Sequence, residues 1–382
     1  MQSLVPIGQE KAWGHFIHSV QENRLSHALI LNGVPGVGKF AFANAMAAYL
    51  NCDNPSENQP CGICPSCQKI SKGLHPDVHY IFPIISRIQS GKSLTSDDFI
   101  QDFRKLFLEN PYLSLNKWAS VLEGENKQLG IFIHDIRELK RKLNLKAFEQ
   151  KYKVVIIWYA EKINVEGANA FLKLLEEPTE KTLLLLCVSD TSALLPTIRS
   201  RCQSLYLQKL SPNDIKNYLE THFELDSQHA QELAFLADGS LSKAIDMANE
   251  SHSSFSELYI EWMRCCYEGS IEKIHNIIEK ISKNSRENQK LFLDFALQKL
   301  RDSLFFQTGL EELSSATEVD RDFLRKFSKF LQTKGIESIV HEINQAYYYI
   351  SRNANAQLVF MGISLKINAI LRGTLRHLQL QR

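Results

Sequence analysis

No run of apolar residues here approaches the roughly 20 that a membrane-crossing helix needs. Residues 1–10 have neither the basic start nor the apolar centre of a secretion signal. The expectation is a cytoplasmic protein with no membrane partner. A surplus of positive charge is missing too. Lys and Arg number 44 against 43 Asp and Glu, so the chain is not a globally basic nucleic-acid binder. Cysteine is sparse except in one segment. Cys187, Cys202, Cys265 and Cys266 are scattered and read as small buried hydrophobes, whereas Cys52, Cys61, Cys64 and Cys67 crowd together. In a cytosolic chain such a cluster suits a metal better than disulfides. The 382 residues suffice for two or three domains, each with its own core.

The rest of the chain is organised around Gly33-Val34-Pro35-Gly36-Val37-Gly38-Lys39-Phe40. An apolar strand-like run, Ala28-Leu29-Ile30-Leu31, precedes it and a helix-like segment follows, the context of a phosphate-binding loop. Gly33, Gly36 and Gly38 let backbone N–H groups converge on a phosphate, and Lys39 adds a full charge. Two chemical groups are absent. Position 40 should carry a hydroxyl for magnesium and is Phe. The end of the β-branched run Lys153-Val154-Val155-Ile156-Ile157 should carry an acid, and Trp158 and Tyr159 stand there instead. Together these changes remove both usual protein contributions to the metal site, although Glu161 or Asp190 could in principle substitute.

In the cysteine segment, Cys61-Gly62-Ile63-Cys64-Pro65-Ser66-Cys67 closes a tight knuckle with Cys52 upstream. Four thiolates make a closed tetrahedral zinc site. An iron–sulfur cluster is the competing chemistry, but its usual run needs a Cys where Ser71 stands. Zinc of this kind contributes roughly 10–16 kcal/mol in isolated fingers, so it would hold a loop with little core of its own. A zinc-dependent DNA-binding module is a rival reading. No Lys or Arg lies between Cys52 and Cys67, which argues against phosphate contact there.

Residues 86–129 change character and read as a helical insertion on the surface of the core domain, with Phe99, Phe103, Phe107 and Trp118 at helical spacing. A partner contact and an inert elaboration are both open for it. Asp135 is placed to cap a helix, with Glu138 completing a capping box. From Leu210 the pattern is all helical. A polar hinge falls at 251–254, and stripes such as Leu293, Leu297, Leu300 and Leu304 read as the core of a bundle.

The order and spacing of these motifs resemble the delta-prime family of bacterial DNA polymerase III clamp-loader subunits, within AAA+. The shared residues include His27-Ala28, the phosphate loop, the cysteine module, His75-Pro76-Asp77, Asn164 to Pro178, and Leu194 to Cys202. The likeness covers about residues 5–250 apart from the insertion. The resemblance implies an α/β P-loop AAA+ core with a parallel sheet over 1–208, carrying the zinc module at about 52–67. A helical lid over 209–250 and an all-α collar over 255–382 follow. It implies delta and gamma/tau subunits as partners in a hetero-pentamer, a sliding clamp, and primed DNA reached through the assembly. Arg201, in Ser200-Arg201-Cys202, corresponds to an arginine finger acting on ATP held by the adjacent motor subunit. A nucleotide-sensing Arg of motor subunits is replaced by Ser242. The expected role is therefore a non-hydrolysing subunit of the polymerase holoenzyme with weak or no nucleotide binding. An active motor ATPase of the same loader is the alternative.

Overall fold

The computed structural model describes residues 6–86, 88–89, 92–122, 129–145, 151–250, 255–284, 286–310, 312, 314, 318–330 and 333–373. The chain divides into two compact units, Met1–Asp214 with Gly239–Lys243, and Ile215–Asp238 with Ala244–Arg382.

The first unit is built on five parallel strands: β1 (Ala28–Asn32), β2 (Val78–Ile81), β3 (Lys153–Trp158), β4 (Thr182–Val188) and β5 (Gln203–Tyr206). Their spatial order is β2-β3-β4-β1-β5. Every residue of β3 and β4 is buried, as expected of central parallel strands covered on both faces. Helices α6 (Ile133–Leu143) and α7 (Val165–Glu176) bring Ile136, Leu139, Phe171 and Leu175 into one core with Ile30, Val155, Ile157 and Leu186. α1 (Glu10–Gln21) precedes β1, and α2 (Lys39–Asn51) follows it. α2 is buried nearly all round because its alanines and Phe42 meet protein on every side.

The insertion packs one face against the core, while Gln101, Asp102, Lys105 and Glu109 stay exposed. Among its described residues it contains a two-residue-strand hairpin (Ile88–Gln89 with Lys92–Ser93), a 3-10 turn (Ser96–Phe99) and two helices, α4 (Ile100–Glu109) and α5 (Leu115–Val121). The aromatic residues face inward. Phe103 stacks on Phe82 at 4.0 Å and 9° and meets Trp118 edge-on at 5.4 Å. Trp118 donates its indole N–H to the Pro83 carbonyl at 2.7 Å. The 3-10 turn is tied to the core through Asp135, which accepts from the Ser96 N–H at 2.7 Å and its hydroxyl at 2.8 Å.

Asp135 is therefore not the cap of α6. The helix starts earlier, at Ile133, which makes Asp135 its third residue, where it accepts from the Phe132 N–H at 3.0 Å. Glu138 instead pairs with Arg141 at 2.6 Å. The negative charge still lies in the first turn, where the helix dipole favours it.

The second unit is helical. It contains α9 (Pro212–Phe223) from Ile215, α10 (Ser227–Leu236), and α11 (Leu241–Glu250) from Ala244. α12 (Phe255–Glu268), α13 (Ile271–Ser282), α14 (Arg286–Thr308), α15 (Glu318–Phe330), α16 (Thr333–Ser351) and α17 (Ala356–Leu371) follow. Ile336, Ile339, Ile343 and Ile350 of α16 are buried at helical spacing, as are Leu293 and Leu300 of α14. Trp262 is fully buried and satisfies its N–H on the Ser364 hydroxyl at 2.8 Å. The expected hinge at 251–254 lies outside the described residues.

Phe103→Ala would remove the ring that joins Phe82, Trp118 and the rest of this aromatic cluster. A loss of about 3–5 kcal/mol is expected for truncating a buried aromatic. Urea unfolding followed by tryptophan fluorescence should report it, and a loss below about 1 kcal/mol would contradict this packing role.

Candidate functional site: phosphate loop, thiol cluster and exposed arginine

The phosphate loop runs from the end of β1 into the first turn of α2, and Gly36 and Gly38 take positive φ values of 77° and 96°. Each is also crowded. A Cβ on Gly36 would lie 2.1 Å from the Ser240 hydroxyl, and one on Gly38 would lie 2.8 Å from the Tyr112 ring. The Ser242 N–H donates to the Gly36 carbonyl at 3.2 Å. The loop is thus covered by the 239–243 turn on one side and by the insertion on another.

Lys39 is only 7% exposed. Its ammonium donates to the carbonyls of Gly33 at 2.7 Å and Val34 at 2.9 Å, and to the Ser189 hydroxyl at 2.9 Å. Burial pulls its pKa down to about 8, against the opposing pull of Cys187 and Glu161. Phe40 is 2% exposed and lies within an aromatic cluster. Its ring centroid is 5.4 Å from Phe103, 5.6 Å from Phe107, 5.9 Å from Tyr80 and 6.5 Å from Trp158. Phe40 and Trp158, two of the three residues standing where metal-binding groups were expected, thus pack against Phe103 of the same inserted helix.

Of the two possible substitute acids, Asp190 caps a short turn, accepting from the N–H and hydroxyl of Ser192 at 2.9 and 2.6 Å. Glu161 is closer to the loop chemistry. One oxygen accepts from the Ser189 N–H at 2.9 Å, and the other is buried without a hydrogen-bond partner among the described residues. Burial raises its carboxyl above the usual range. Sequence reasoning missed Ser189, which bonds both Lys39 and Glu161, and Tyr112. No local pattern marks either, because their partners lie far away along the chain.

The four predicted thiols do come together, with all sulfurs within 4.8 Å of one another. Cys52 ends α2 and Cys64 caps α3 (Pro65–Ser71), which carries Cys67. Backbone N–H groups of Cys61, Cys64 and Cys67 point at the sulfurs of Cys52, Cys61 and Cys64, at 3.3, 3.3 and 3.4 Å. Such bonds stabilise thiolates and orient them, so the donor set fits a metal ion.

Arg201 follows the single turn α8 (Pro196–Arg199) and is partly exposed. One guanidinium nitrogen lies 2.8 Å from a Glu176 oxygen, and the other donates to the Thr197 carbonyl at 3.1 Å.

A family described as DNA polymerase III, delta subunit, matches residues 8–211, which contain the phosphate loop, the thiol cluster and Arg201. The chain belongs to this family. Its similarity to a DNA polymerase III subunit delta' of Bacillus subtilis is 26% identity over 299 residues, 77% of each chain. A subunit delta' of Pseudomonas aeruginosa is 34% identical over 177 residues, 46% of this chain and 42% of that one. A subunit tau of Escherichia coli is 26% identical over 253 residues, 65% of this chain and 32% of its own. The chain thus matches most of one of these relatives and less than half of the other two. Among the described residues, no helix is long and apolar enough to cross a membrane.

Elemental analysis of this delta-family protein should find about one metal ion per chain, as a four-thiolate site requires. Cys64→Ser should lower that content, and a folded, metal-free wild-type chain would contradict the assignment.

Proposed function

We propose that this chain is a non-hydrolysing clamp-loader subunit of a DNA polymerase III holoenzyme. It acts in a hetero-pentamer with delta and gamma/tau subunits that places a sliding clamp on primed DNA. Within that reading 1–208 is the AAA+ core, 209–250 the lid and 255–382 the collar, and the assembly works in the cytoplasm. The single observation that carries it is Phe40. The position that would present a hydroxyl to magnesium presents a ring instead, buried against Phe103, Phe107 and Trp158. Lys39 adds support, because its ammonium is already held by three acceptors of its own domain. The net charge of +1 gives a lone chain little pull on DNA, so DNA contact belongs to the assembly.

The metal at the thiol cluster is zinc in this reading, since four sulfur donors leave no open position and suit a structural site. Cys52, Cys61, Cys64 and Cys67 would hold it, and its role is to fix the 52–67 loop.

One observation favours the alternative of an active motor. The unpartnered oxygen of Glu161 lies on the residue that shares Ser189 with Lys39. Burial disfavours its charged form, however, and the second metal-binding group is still lacking.

Arg201 is the group this chain lends to its neighbour, as a guanidinium on the γ-phosphate of ATP bound next door. Fingers of this kind are worth ~10³–10⁵ in rate in other phosphoryl-transfer enzymes. Arg201→Ala should leave fold and assembly intact and lower the DNA-stimulated ATPase of a reconstituted complex by at least about 10-fold. An unchanged rate would remove the finger role.

A further inference from the structure

The geometry points to Glu176 as the positioning residue for Arg201, an inference that rests on the reading of Arg201 as a finger. Arg201 comes just after α8, a single helical turn with no length to hold a side chain rigidly. Its backbone N–H bonds the Ile198 carbonyl at 3.1 Å. A long, partly exposed Arg in that place would sample many rotamers, and aiming it would have an entropic cost at each catalytic event.

One hydrogen bond and one ion pair restrict it. The Thr197 carbonyl accepts from one guanidinium nitrogen within the same turn, and the Glu176 carboxylate, from a different helix, forms an ion pair with the other at 2.8 Å. Glu176 is itself well placed, because it is the last residue of α7. That helix is fixed by the Asn164 side chain accepting from the Gly167 N–H at 2.8 Å and by buried Ala168, Phe171, Leu174 and Leu175. The two contacts therefore bias the guanidinium toward the end of α7 as well as toward its own short turn. The hydrogen bond occupies one donor on one terminal nitrogen and leaves N–H groups of the planar fork for an incoming phosphate.

An ion pair this exposed adds little to stability, so stability gives no reason for its presence. The pair also cannot be a tight lock, for the same reason. Glu176 gives the guanidinium a preferred direction before the neighbouring nucleotide arrives, and yields as charge develops on the phosphate. Positioning of this kind acts on the rate of the chemical step and leaves the binding of ATP to the neighbour unchanged.

The test uses the complex reconstituted with its hydrolysing subunits and compares wild type, Glu176→Gln, Glu176→Ala and Arg201→Ala in this chain. Gln keeps the reach of the side chain without its charge, whereas Ala removes both. The expected result is a kcat that falls by about 10- to 100-fold in Glu176→Ala, the scale of a misaimed catalytic group, with KM for ATP unchanged. Glu176→Gln should share most of that loss, because a neutral amide does not attract the guanidinium. Because the side chain is half exposed, all variants should assemble as wild type does, checked by gel filtration. If Arg201→Ala loses activity while Glu176→Ala keeps it, the positioning role is overturned and the finger stands. If Arg201→Ala is also unchanged, the finger reading falls first and this inference with it. A Gln variant as fast as wild type, or a KM that rises in step with the loss, would overturn positioning by the ion pair as well.

Discussion

The burial of one aromatic ring, Phe40, constrains everything around the phosphate loop. A ring cannot coordinate a cation, and once it opens the helix that follows the loop it must find apolar neighbours. The inserted helix α4 supplies them with Phe103 and Phe107, and β3 supplies Trp158. The substitution at 40, the substitution at 158 and the insertion thus form one packing solution. Restoring a hydroxyl at position 40 alone would leave a buried polar group facing rings, which explains why the changes belong together.

Electrostatics follow from the same packing. With the loop covered by Tyr112 and by the 239–243 turn, Lys39 is removed from water and satisfies itself on the Gly33 and Val34 carbonyls and on Ser189. A phosphate bound by Lys39 would have to displace these acceptors. Arg201, by contrast, is partly exposed and pairs with Glu176 at the carboxyl end of α7. In the function proposed above, that exposed charge is the one that acts.

Much of this was legible in the sequence. Glycine spacing and flanking apolar runs mark the loop, a β-branched run marks β3, and four crowded cysteines mark a cluster whose sulfurs converge. These are local signals, set by periodicity and by turn chemistry. What escaped were contacts between segments far apart along the chain. Phe40 with Phe103, Gly38 with Tyr112, and Lys39 with Ser189 leave no periodic trace. A usable hint existed for the first of them. Phe99, Phe103 and Phe107 recur every four residues on an otherwise polar segment, and a stripe of that kind needs an apolar partner, which Phe40 and Trp158 provide. The sequence makes Asp135 look like the cap before a helix, whereas α6 begins two residues earlier at Ile133, whose side chain says nothing of a helix start.

The most direct measurement is ATP binding and turnover by the purified chain alone, with magnesium and with chelator. If Phe40 and its neighbours have replaced the cation site, magnesium will not tighten ATP binding and phosphate release will stay at the buffer rate. Magnesium-dependent binding accompanied by steady turnover would contradict the idea that this subunit serves an engine it does not itself contain.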